Sequence, residues 1–363
     1  MVAQILFKLE KSAESLERMS SRAENYVINK IKKKPDSKLR KSVKRSMEFF
    51  VISPVSLDPY GIVKKFELLV DQEKDRFDYF VEQVAPDAET EKRANIIMGL
   101  SAAMSLYQLT KLVRHFVELI KKTKSINLAM ILQMQLPLIE RLAKSLYKGT
   151  EALSNGWPIG DTIGAYISVN LIGNSKFKQL DKDTIVSRKR YNNKDVIIIK
   201  AKGPGGRTGN PGRVLERITK REKIAKIITI DAALKLEGEK TGTIAEGVGV
   251  AIGGIGIEKT YVEEIAVKEK IPLDSIVIKM SQEEAITPMK KEILNSMPNV
   301  INALNESIKR TKNKGKIIIV GVGNTSGVGN NKKELEKSKK VILENIKKMK
   351  KLKKKKKRFS FPF

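Results

Sequence analysis

Two aspartates in the second half of the chain have the residue type and the setting of catalytic carboxylates. Asp161 stands in "PIGDTIGAYISVNLI", where an apolar run begins, and Asp231 follows the apolar segment "IITI". A carboxylate at the exit of a hydrophobic strand is held rigidly and partly desolvated, which shifts its pKa toward the range useful for proton transfer. Each aspartate also has a structural interpretation, Asp161 as the N-cap of the following helix and Asp231 as a cap or loop brace.

Two glycine-rich segments follow other apolar runs. Residues 202–212 read "KGPGGRTGNPG" and residues 321–330 read "GVGNTSGVGN". Glycine lets backbone amides approach a ligand closely, and amides aimed at one point can stabilise an oxyanion. Neither segment is a P-loop, and the second lacks the later strand and acidic residue of a dinucleotide-binding motif. For the first segment, a mobile turn is the alternative interpretation.

The expected site combines the two carboxylates with these glycine-rich segments. Asp161 and Asp231 are the expected catalytic residues, and they would share a proton or bind one divalent cation that activates water. No other cofactor is suggested, and the identity of the cation stays open. The expected substrate-binding residues flank the two aspartates or lie in the glycine-rich segments: Gly160, Gly164, Gly205, Gly206, Arg207, Thr208, Gly321, Gly323 and Asn324.

Composition excludes several classes of site. The chain of 363 residues has no cysteine, so thiol catalysis, disulfides and Cys-ligated zinc are excluded. Its single histidine, His115, excludes multi-histidine metal sites and disfavours a Ser-His-Asp triad. His115 lies at the apolar–polar boundary of a predicted helix, where a structural or surface role is expected.

The spacing of apolar residues predicts a helical domain over residues 1–150. Apolar residues recur at helical intervals through residues 1–34, and Pro35 ends that helix. A basic helix to about residue 50 and a turn-rich connector at 52–61 follow. Further helices are predicted at 62–83, 88–122 and 125–149, the last with a kink or a start near Pro137.

Residues 151–331 predict an α/β domain. Short β-branched runs at 195–201, 224–232, 241–256, 275–281 and 315–323 alternate with amphipathic stretches at 211–222, 258–270 and 289–311. This alternation predicts a mostly parallel sheet with helices on both faces, whose ligands bind beyond the carboxyl ends of the strands. The uninterrupted apolar run 316–320 predicts an internal strand that brings residues 321–325 close to Asp161. Residues 332–363 predict a basic helix to 352 and a disordered lysine-rich tail.

The net charge of +30 is concentrated in two segments. Residues 332–363 carry a net +12 and residues 30–48 a net +7. Such clusters attract an anionic membrane surface or nucleic acid, and residues 30–48 and 332–358 are the expected contacts; a solvated lysine-rich surface is the alternative. No signal peptide or span of about 20 apolar residues is visible, so a cytoplasmic location, free or peripheral to a membrane, is expected. The helical domain is the expected surface for any homo-oligomer.

Several strings resemble an uncharacterised archaeal family of about this length. They are "SLDPYGIVKKFE", "KLVRHFVELIKKTK", "LQMQLPLIERLAKSL", "PIGDTIG" and "GVGNT", which together cover essentially the whole chain. The resemblance implies no established activity. Members of that family often begin with a membrane-anchoring helix, and the helical start of this chain resembles an abbreviated form of it.

The α/β part also resembles, more distantly, hydrogenase-maturation proteases and the spore germination protease. "GDTIG" is similar to their Asp-x-x-Gly segment, "IITIDAAL" to their strand-Asp-Ala element, and "KIIIVGVGNT" to their opening strand and loop. In those enzymes the last element comes first, so the resemblance implies a circularly permuted sheet. It also implies site roles for Asp161 and Asp231, while the histidine metal ligand of the hydrogenase-maturation group has no counterpart in residues 151–331.

Two functions follow as hypotheses. The first is a peptidase- or amidase-like hydrolase that uses the two carboxylates in a cleft lined by glycine-rich loops. The second is a non-catalytic scaffold or ligand-binding protein that docks on an anionic membrane or nucleic acid through its basic segments.

Overall fold

The computed structural model describes residues 2–51, 61–250 and 257–359, which form two compact units. The first unit ends at Asn155 and the second begins at Gly156, five residues after the expected boundary. The described residues from Gly61 to Gln72 group with the second unit rather than with the helical one. The basic C-terminal helix also belongs to the second unit and is not a separate domain.

The first unit is helical, as the spacing of its apolar residues predicts. The first five helices of the chain are α1 (Val2–Ile31), α2 (Ser37–Met47), α3 (Ile62–Val84), α4 (Thr90–Thr123) and α5 (Ile126–Ser154). Six buried residues of α1 alternate in steps of four and three, as in the narrow seam of a coiled coil: Leu9, Ala13, Leu16, Ser20, Ala23 and Val27. Ile28 is buried beside them. This seam packs against α4 and α5.

Helix α5 contains an internal proline, and helix α4 is unusually long and apolar. Pro137 lies inside α5 rather than at its start. Among the described residues, α4 is the one helix long and apolar enough to cross a membrane by length and composition. Many of its apolar residues are buried in the core of the unit, as in an ordinary core helix, so the described chain has no clear transmembrane segment.

The second unit contains a seven-stranded sheet. Its strands are β1 (Phe177–Asp181), β2 (Thr184–Tyr191), β3 (Lys194–Ala201), β4 (Ile224–Leu234), β5 (Ile244–Val248), β6 (Leu273–Met280) and β7 (Lys316–Gly321). Their order is β1-β2-β3-β7-β4-β6-β5. The four central strands are parallel, and β1, β2 and β5 pair antiparallel to their neighbours. The carboxyl ends of β3, β7, β4 and β6 therefore meet at one edge of the sheet.

Helices cover both faces of this sheet. They are α6 (Ile163–Ile172), α7 (Pro211–Thr219), α8 (Ile257–Lys268), α9 (Gln282–Ile286), α10 (Lys291–Leu294), α11 (Met297–Lys309) and α12 (Lys332–Phe359). One core cluster joins α6, α11 and α12 to one face, and a second joins α7 and α8 to the other. The α7 side chain of Arg213 also bonds Glu67 at 2.9 Å and Asp71 at 2.7 Å, which ties the first part of α3 to this unit.

The expectation of an internal strand at residues 316–320 is confirmed. Strand β7 lies between β3 and β4, in the middle of the sheet, and Ile317, Ile318, Ile319 and Val320 have no exposed surface. The four residues alternate between the two core clusters. A strand buried on both faces needs apolar residues at every position, which explains its continuous apolar sequence.

Other segments differ from the sequence-based expectations. The hairpin β1–β2 was not expected, because the edge strand β1 is short and has no fully buried residue, and the second half of β2 is largely basic. The helix expected at 289–311 is divided into α10 and α11, since Pro298 occupies the first turn of α11. Of the run 241–256, residues 244–248 form β5, and residues 251–256 lie outside the described residues, as do residues 52–60 of the connector.

The basic helix is longer than expected. Helix α12 continues to Phe359, so residues 353–359 are helical rather than disordered, and the last four residues lie outside the described part of the chain. Lysine is a good helix former, and the sequence has no glycine or proline between Lys332 and Ser360.

Candidate active site at the carboxyl edge of the sheet

The two glycine-rich loops meet around one threonine. Thr325, which has no exposed surface, places its Oγ1 2.7 Å from the carbonyl oxygen of Gly205 and 3.0 Å from that of Lys202. Its backbone N–H donates to the carbonyl oxygen of Arg207 at 3.0 Å, and the N–H of Arg207 donates to its Oγ1 at 3.2 Å. The loop after β3 and the loop after β7 therefore form one connected structure.

A buried lysine strengthens this connection. Lys200 precedes the last residue of β3 and pairs in register with Gly321 at the end of β7. Its ammonium, with no exposed surface, donates to the carbonyl oxygen of Gly329 at 3.0 Å and to Oδ1 of Asn330 at 3.1 Å. The Asn330 side chain also bonds both the N–H and the carbonyl oxygen of Gly203. A buried charge needs such partners, because without them the free energy lost on desolvating the ammonium is not offset and the fold is destabilised.

Asp161 is not a helix cap. It lies in a short 3₁₀ turn, Gly160–Thr162, and α6 begins after Thr162 without a side-chain cap. The Oδ2 atom of Asp161 instead accepts a hydrogen bond from the backbone N–H of Asn324, at 2.7 Å. The prediction that residues 321–325 lie near Asp161 is thus confirmed, and the N-cap interpretation is wrong.

The carboxyl of Asp161 has an unusual electrostatic environment. Burial raises its pKa above the ordinary value, and the hydrogen bond from Asn324 opposes that rise only in part. A Cβ atom at position 323, where Gly323 has a φ of +106°, would lie 3.3 Å from Oδ2 of Asp161 and 2.1 Å from the Asp161 carbonyl oxygen. A larger residue at 323 would displace this turn, so the glycine allows the loop to press against Asp161.

Asp231 lies at the same edge but on a different face of the sheet. It is 3% exposed, and its Oδ1 accepts a hydrogen bond from the N–H of Ala232 at 2.7 Å. Pairing of β4 with β7 ends one residue earlier, at Ile230, which packs in the cluster with α6. Since side chains alternate along a strand, Asp231 points toward the face of α7 and α8. The 3₁₀ turn that holds Asp161 contacts β4, so both acids lie near the end of this strand.

Three of the expected substrate-binding glycines have a packing role. A side chain at Gly160 would meet the carbonyl oxygen of Glu284 at 2.3 Å, and one at Gly164 would meet that of Ile230 at 2.4 Å. A side chain at Gly321 would meet Oγ of Ser168 at 2.0 Å. Glycine at these positions lets the 3₁₀ turn lie directly on α9 and lets α6 lie directly on the sheet, because no Cβ keeps the elements apart.

The remaining expected residues belong to the loops themselves. Gly205 and Gly206 are buried, and Thr208 is exposed. The guanidinium of Arg207 lies 3.3 Å from Oδ1 of Asp183, and both side chains are 9% exposed. Asn324 directs its Oδ1 to the N–H of Ser326 at 2.7 Å, so its side chain shapes the loop while its backbone N–H reaches Asp161.

The sequence-based reasoning missed four residues that organise this site: Asp183, Lys200, Thr325 as the link between loops, and Asn330. For Lys200 a signal was present, because a lysine directly follows the run "VIII" in a strand predicted to be buried on both faces. For Asp183 and Asn330 no local signal distinguishes them from ordinary turn residues.

Metal-binding groups are few in this structure. Among the residues that the structure describes, no group of three or more His, Asp or Glu side chains could hold a metal ion. His115 is exposed on α4 and lies edge-on to Phe116 at 5.5 Å, in agreement with its expected surface role. A cation between Asp161 and Asp231 stays a prediction.

The chain belongs to a family of unknown function. Residues 1–156 match the family model described as "Protein of unknown function (DUF1512) N-terminal domain", and residues 159–329 match "Domain of unknown function (DUF1512) C-terminal". These boundaries agree with the division of the structure at Asn155 and Gly156. No curated protein and no solved structure matches the chain.

Replacing Asn330 with alanine should destabilise the second unit. The change removes both bonds to Gly203 and one acceptor of the buried Lys200 ammonium, so we expect the free energy of unfolding to fall by about 2–4 kcal/mol. Urea denaturation measures this change. The control is Asn170→Ala on the exposed side of α6, which should shift the free energy by less than about 0.5 kcal/mol. Equal effects of the two variants would contradict the role of Asn330.

Proposed function

We propose that this member of a family without an assigned function is a peptide or amide hydrolase that works at the carboxyl edge of its sheet. Asp161 is the proton-transfer residue, and Asp231 is the second carboxylate. The observation that carries the proposal is the position of Asp161: its carboxyl is turned away from the helix that follows and toward the loop after β7, where burial raises its pKa.

The hydrogen bonding of Asp161 suits it to act as an acid. Its Oδ2 accepts from Asn324, while its Oδ1 has no hydrogen-bond partner among the described residues. A carboxyl with a raised pKa keeps its proton at higher pH than an ordinary aspartate, and Oδ1 is the atom free to carry that proton. Such a group can donate a proton to the leaving nitrogen of an amide.

The loop beside Asp161 offers a donor for the oxyanion. The N–H of Gly323 donates to no acceptor in the part of the chain that the structure describes, whereas the N–H groups of Asn324, Thr325 and Ser326 are all used internally. A fixed backbone N–H near a proton donor stabilises the negative charge that develops on a carbonyl oxygen. The rigid connection between the two loops would hold this N–H in place.

The proposed reaction is hydrolysis of a C–N bond. Water attacks the carbonyl carbon and gives a proton to the carboxylate of Asp231, while the carbonyl oxygen takes the negative charge. The C–N bond then breaks as Asp161 donates its proton to the nitrogen, and the products are a carboxylate and an amine. The resemblance of "GDTIG" and "IITIDAAL" to protease segments supports the same two roles.

Substitution of either aspartate by asparagine tests this proposal. We expect Asp161→Asn and Asp231→Asn each to lower hydrolysis of quenched fluorescent peptides by at least about 100-fold, because asparagine keeps the shape but cannot transfer the proton. The matched control is Asp195→Asn, an exposed carboxylate on β3, which should keep full activity. A folded wild-type protein that hydrolyses no peptide or amide, or activity that survives both substitutions, would reject the hydrolase.

Asp161→Asn should also change how stability depends on pH. The folded-state pKa of Asp161 is raised, so its protonated form favours folding at low pH, and that contribution is lost as the pH rises through the raised value. Asparagine cannot ionise and still accepts from Asn324. We therefore expect the variant to exceed wild type in free energy of unfolding at about pH 8, and the difference to vanish below about pH 4.

Urea denaturation across this pH range measures the difference between the two proteins. Asp195→Asn serves again as the control, since an exposed aspartate should give no such pH-dependent gain. A variant that is less stable than wild type at every pH would mean that Asp161 acts in its ionised form as a brace for the loop.

A second candidate function is docking on an anionic surface. The observation that favours it is the division of α2 into a buried face, formed by Leu39, Val43 and Met47, and an exposed face of lysines and arginines. Helix α12 has the same division in its first half, where Leu335 and Ile342 are buried and lysines are exposed. Cations displayed on a rigid helix attract polyanions without any change in the fold.

This second candidate predicts binding that depends steeply on salt. Full-length protein should sediment with vesicles that contain phosphatidylserine or shift single-stranded RNA in a gel, and the affinity should fall by at least about tenfold between low and physiological salt. Replacing Lys38, Lys41 and Lys44 with glutamine should weaken the binding. Absence of binding to both probes would leave the basic helices as solubilising surfaces.

A further inference from the structure

A groove between α1 and α5 gathers four cationic side chains around a tyrosine. Its volume is about 440 Å³, and it lies wholly within the helical unit. Arg18 and Arg22 line it from α1, and Lys144 and Lys148 line it from α5 together with Tyr147. On each helix the two cations are four residues apart, so they project from the same side.

Two hydrogen bonds between α1 and α5 flank the residues that line the groove. At one end, Oγ of Ser12 donates to Oε1 of Glu140 at 2.9 Å. At the other end, the amide of Asn155 donates to the hydroxyl of Tyr26 at 2.5 Å. The lining residues, 15–22 on α1 and 144–151 on α5, therefore lie between these two contacts along each helix.

Acidic groups neutralise this cluster only in part. Arg18 and Lys144 each lie 3.6 Å from a glutamate one turn away, and such exposed pairs are weak. Arg22 and Lys148 form no ion pair with any residue that the structure describes. Glu151 is the one acidic residue that lines the groove, and burial together with its negative charge raises the pKa of the Tyr147 hydroxyl.

We infer that this groove binds a small phosphorylated molecule of the nucleoside polyphosphate class. The guanidinium of an arginine can donate two parallel hydrogen bonds to the oxygens of one phosphate, and the two lysines add positive charge around that phosphate. The ring of Tyr147 and the side chain of Met19 provide an apolar surface on which a base can lie. A volume of 440 Å³ is within the usual range for sites that bind small molecules.

The surroundings favour a small ligand over a long polyanion. Beyond the Ser12 end, α5 carries no charged residue from Ile126 to Ile139, so its share of the positive surface stops there. At the opposite end, Lys30 donates to Oδ1 of Asn155, and Lys32, Lys33 and Lys34 extend the positive charge beyond the groove. A nucleic acid strand would need cations that continue past both ends, because its affinity comes from contacts to many successive phosphates.

Calorimetric titration of the full chain tests the assignment, with adenosine triphosphate and inorganic tripolyphosphate as probes. We expect ATP to bind, and Arg22→Gln combined with Lys148→Gln to weaken that binding by about tenfold or more. Lys33→Gln combined with Lys34→Gln removes the same charge outside the groove and should change the affinity by less than about twofold. Tripolyphosphate should bind more weakly than ATP, since it lacks a ring to lie on Tyr147.

One variant should bind more tightly than wild type. Glu151→Gln removes the single carboxylate of the groove, so we expect ATP to bind roughly threefold more tightly or better. A gain of affinity cannot result from poor folding, which makes this variant the sharpest arm of the test. Three results would overturn the assignment. They are an equal loss of ATP affinity in the Arg22/Lys148 and Lys33/Lys34 double variants, no gain of affinity with Glu151→Gln, and tripolyphosphate binding as tight as that of ATP. Binding of an RNA oligonucleotide but not of ATP through Arg22 and Lys148 would overturn it as well.

Discussion

The pairing of β7 between β3 and β4 is the constraint on which the second unit depends. β7 is the last strand in the chain, yet it occupies the middle of the sheet and contributes to both core clusters. Parallel strands end at a common edge, so this insertion brings the loop after β7 against the loop after β3 and against the 3₁₀ turn before α6. Each contact of the candidate site follows from that placement, since Asp161 and Asn324 are 163 positions apart in sequence.

The edge of the sheet is rigid because its polar groups are satisfied within the protein. Thr325 and Asn330 join the two glycine-rich loops, and the ammonium of Lys200 lies beneath them with two oxygen acceptors. Burial of a lysine costs free energy that these bonds must offset, and a simpler apolar residue would avoid the cost. The site nevertheless contains the N–H of Gly323 and the Oδ1 atom of Asp161, which bond to none of the described residues. Rigid surroundings and two unused polar atoms form the physical basis for the proposed hydrolysis.

The two units contain different kinds of candidate site. The second unit positions a carboxyl and backbone groups at a sheet edge, where chemistry on a substrate is the natural role. The helical unit has a basic groove in which Arg22 and Lys148 lack ion pairs with described residues, and this arrangement suits the binding of an anion without any chemistry. In each unit the candidate site contains polar groups that bond to no described residue. They are Oδ1 of Asp161 and the N–H of Gly323 in the second unit, and they are the cations of Arg22 and Lys148, which form no ion pair with described residues, in the helical unit.

The sequence by itself determined the elements, and the tertiary structure decided which of their groups meet. Apolar residues at a period of 3.6 predicted the bounds of α1 to α5 closely, and continuous apolar runs did the same for β3, β4, β6 and β7. Both patterns arise because burial determines the residue type along each element. The same reasoning placed β7 inside the sheet and residues 321–325 near Asp161. It failed for the β1–β2 hairpin, since the short edge strand β1 has no fully buried residue and only the first half of β2 is buried, and for the break at Pro298 within residues 289–311.

The chemistry of individual residues depended on contacts that no local pattern encodes. Asp161 has the sequence context of a helix cap, yet its partner is Asn324, since sheet order and not sequence distance sets that contact. The alternation of β4 directs Asp231 toward α7 and α8, whereas Asp161 lies at the start of α6 on the other side. Gly160, Gly164 and Gly321 could have faced a ligand, but the fold fills their side-chain positions with protein atoms. The local sequence determines which residues must be buried, because burial requires apolar side chains. The order of the strands in the sheet determines which polar groups contact one another.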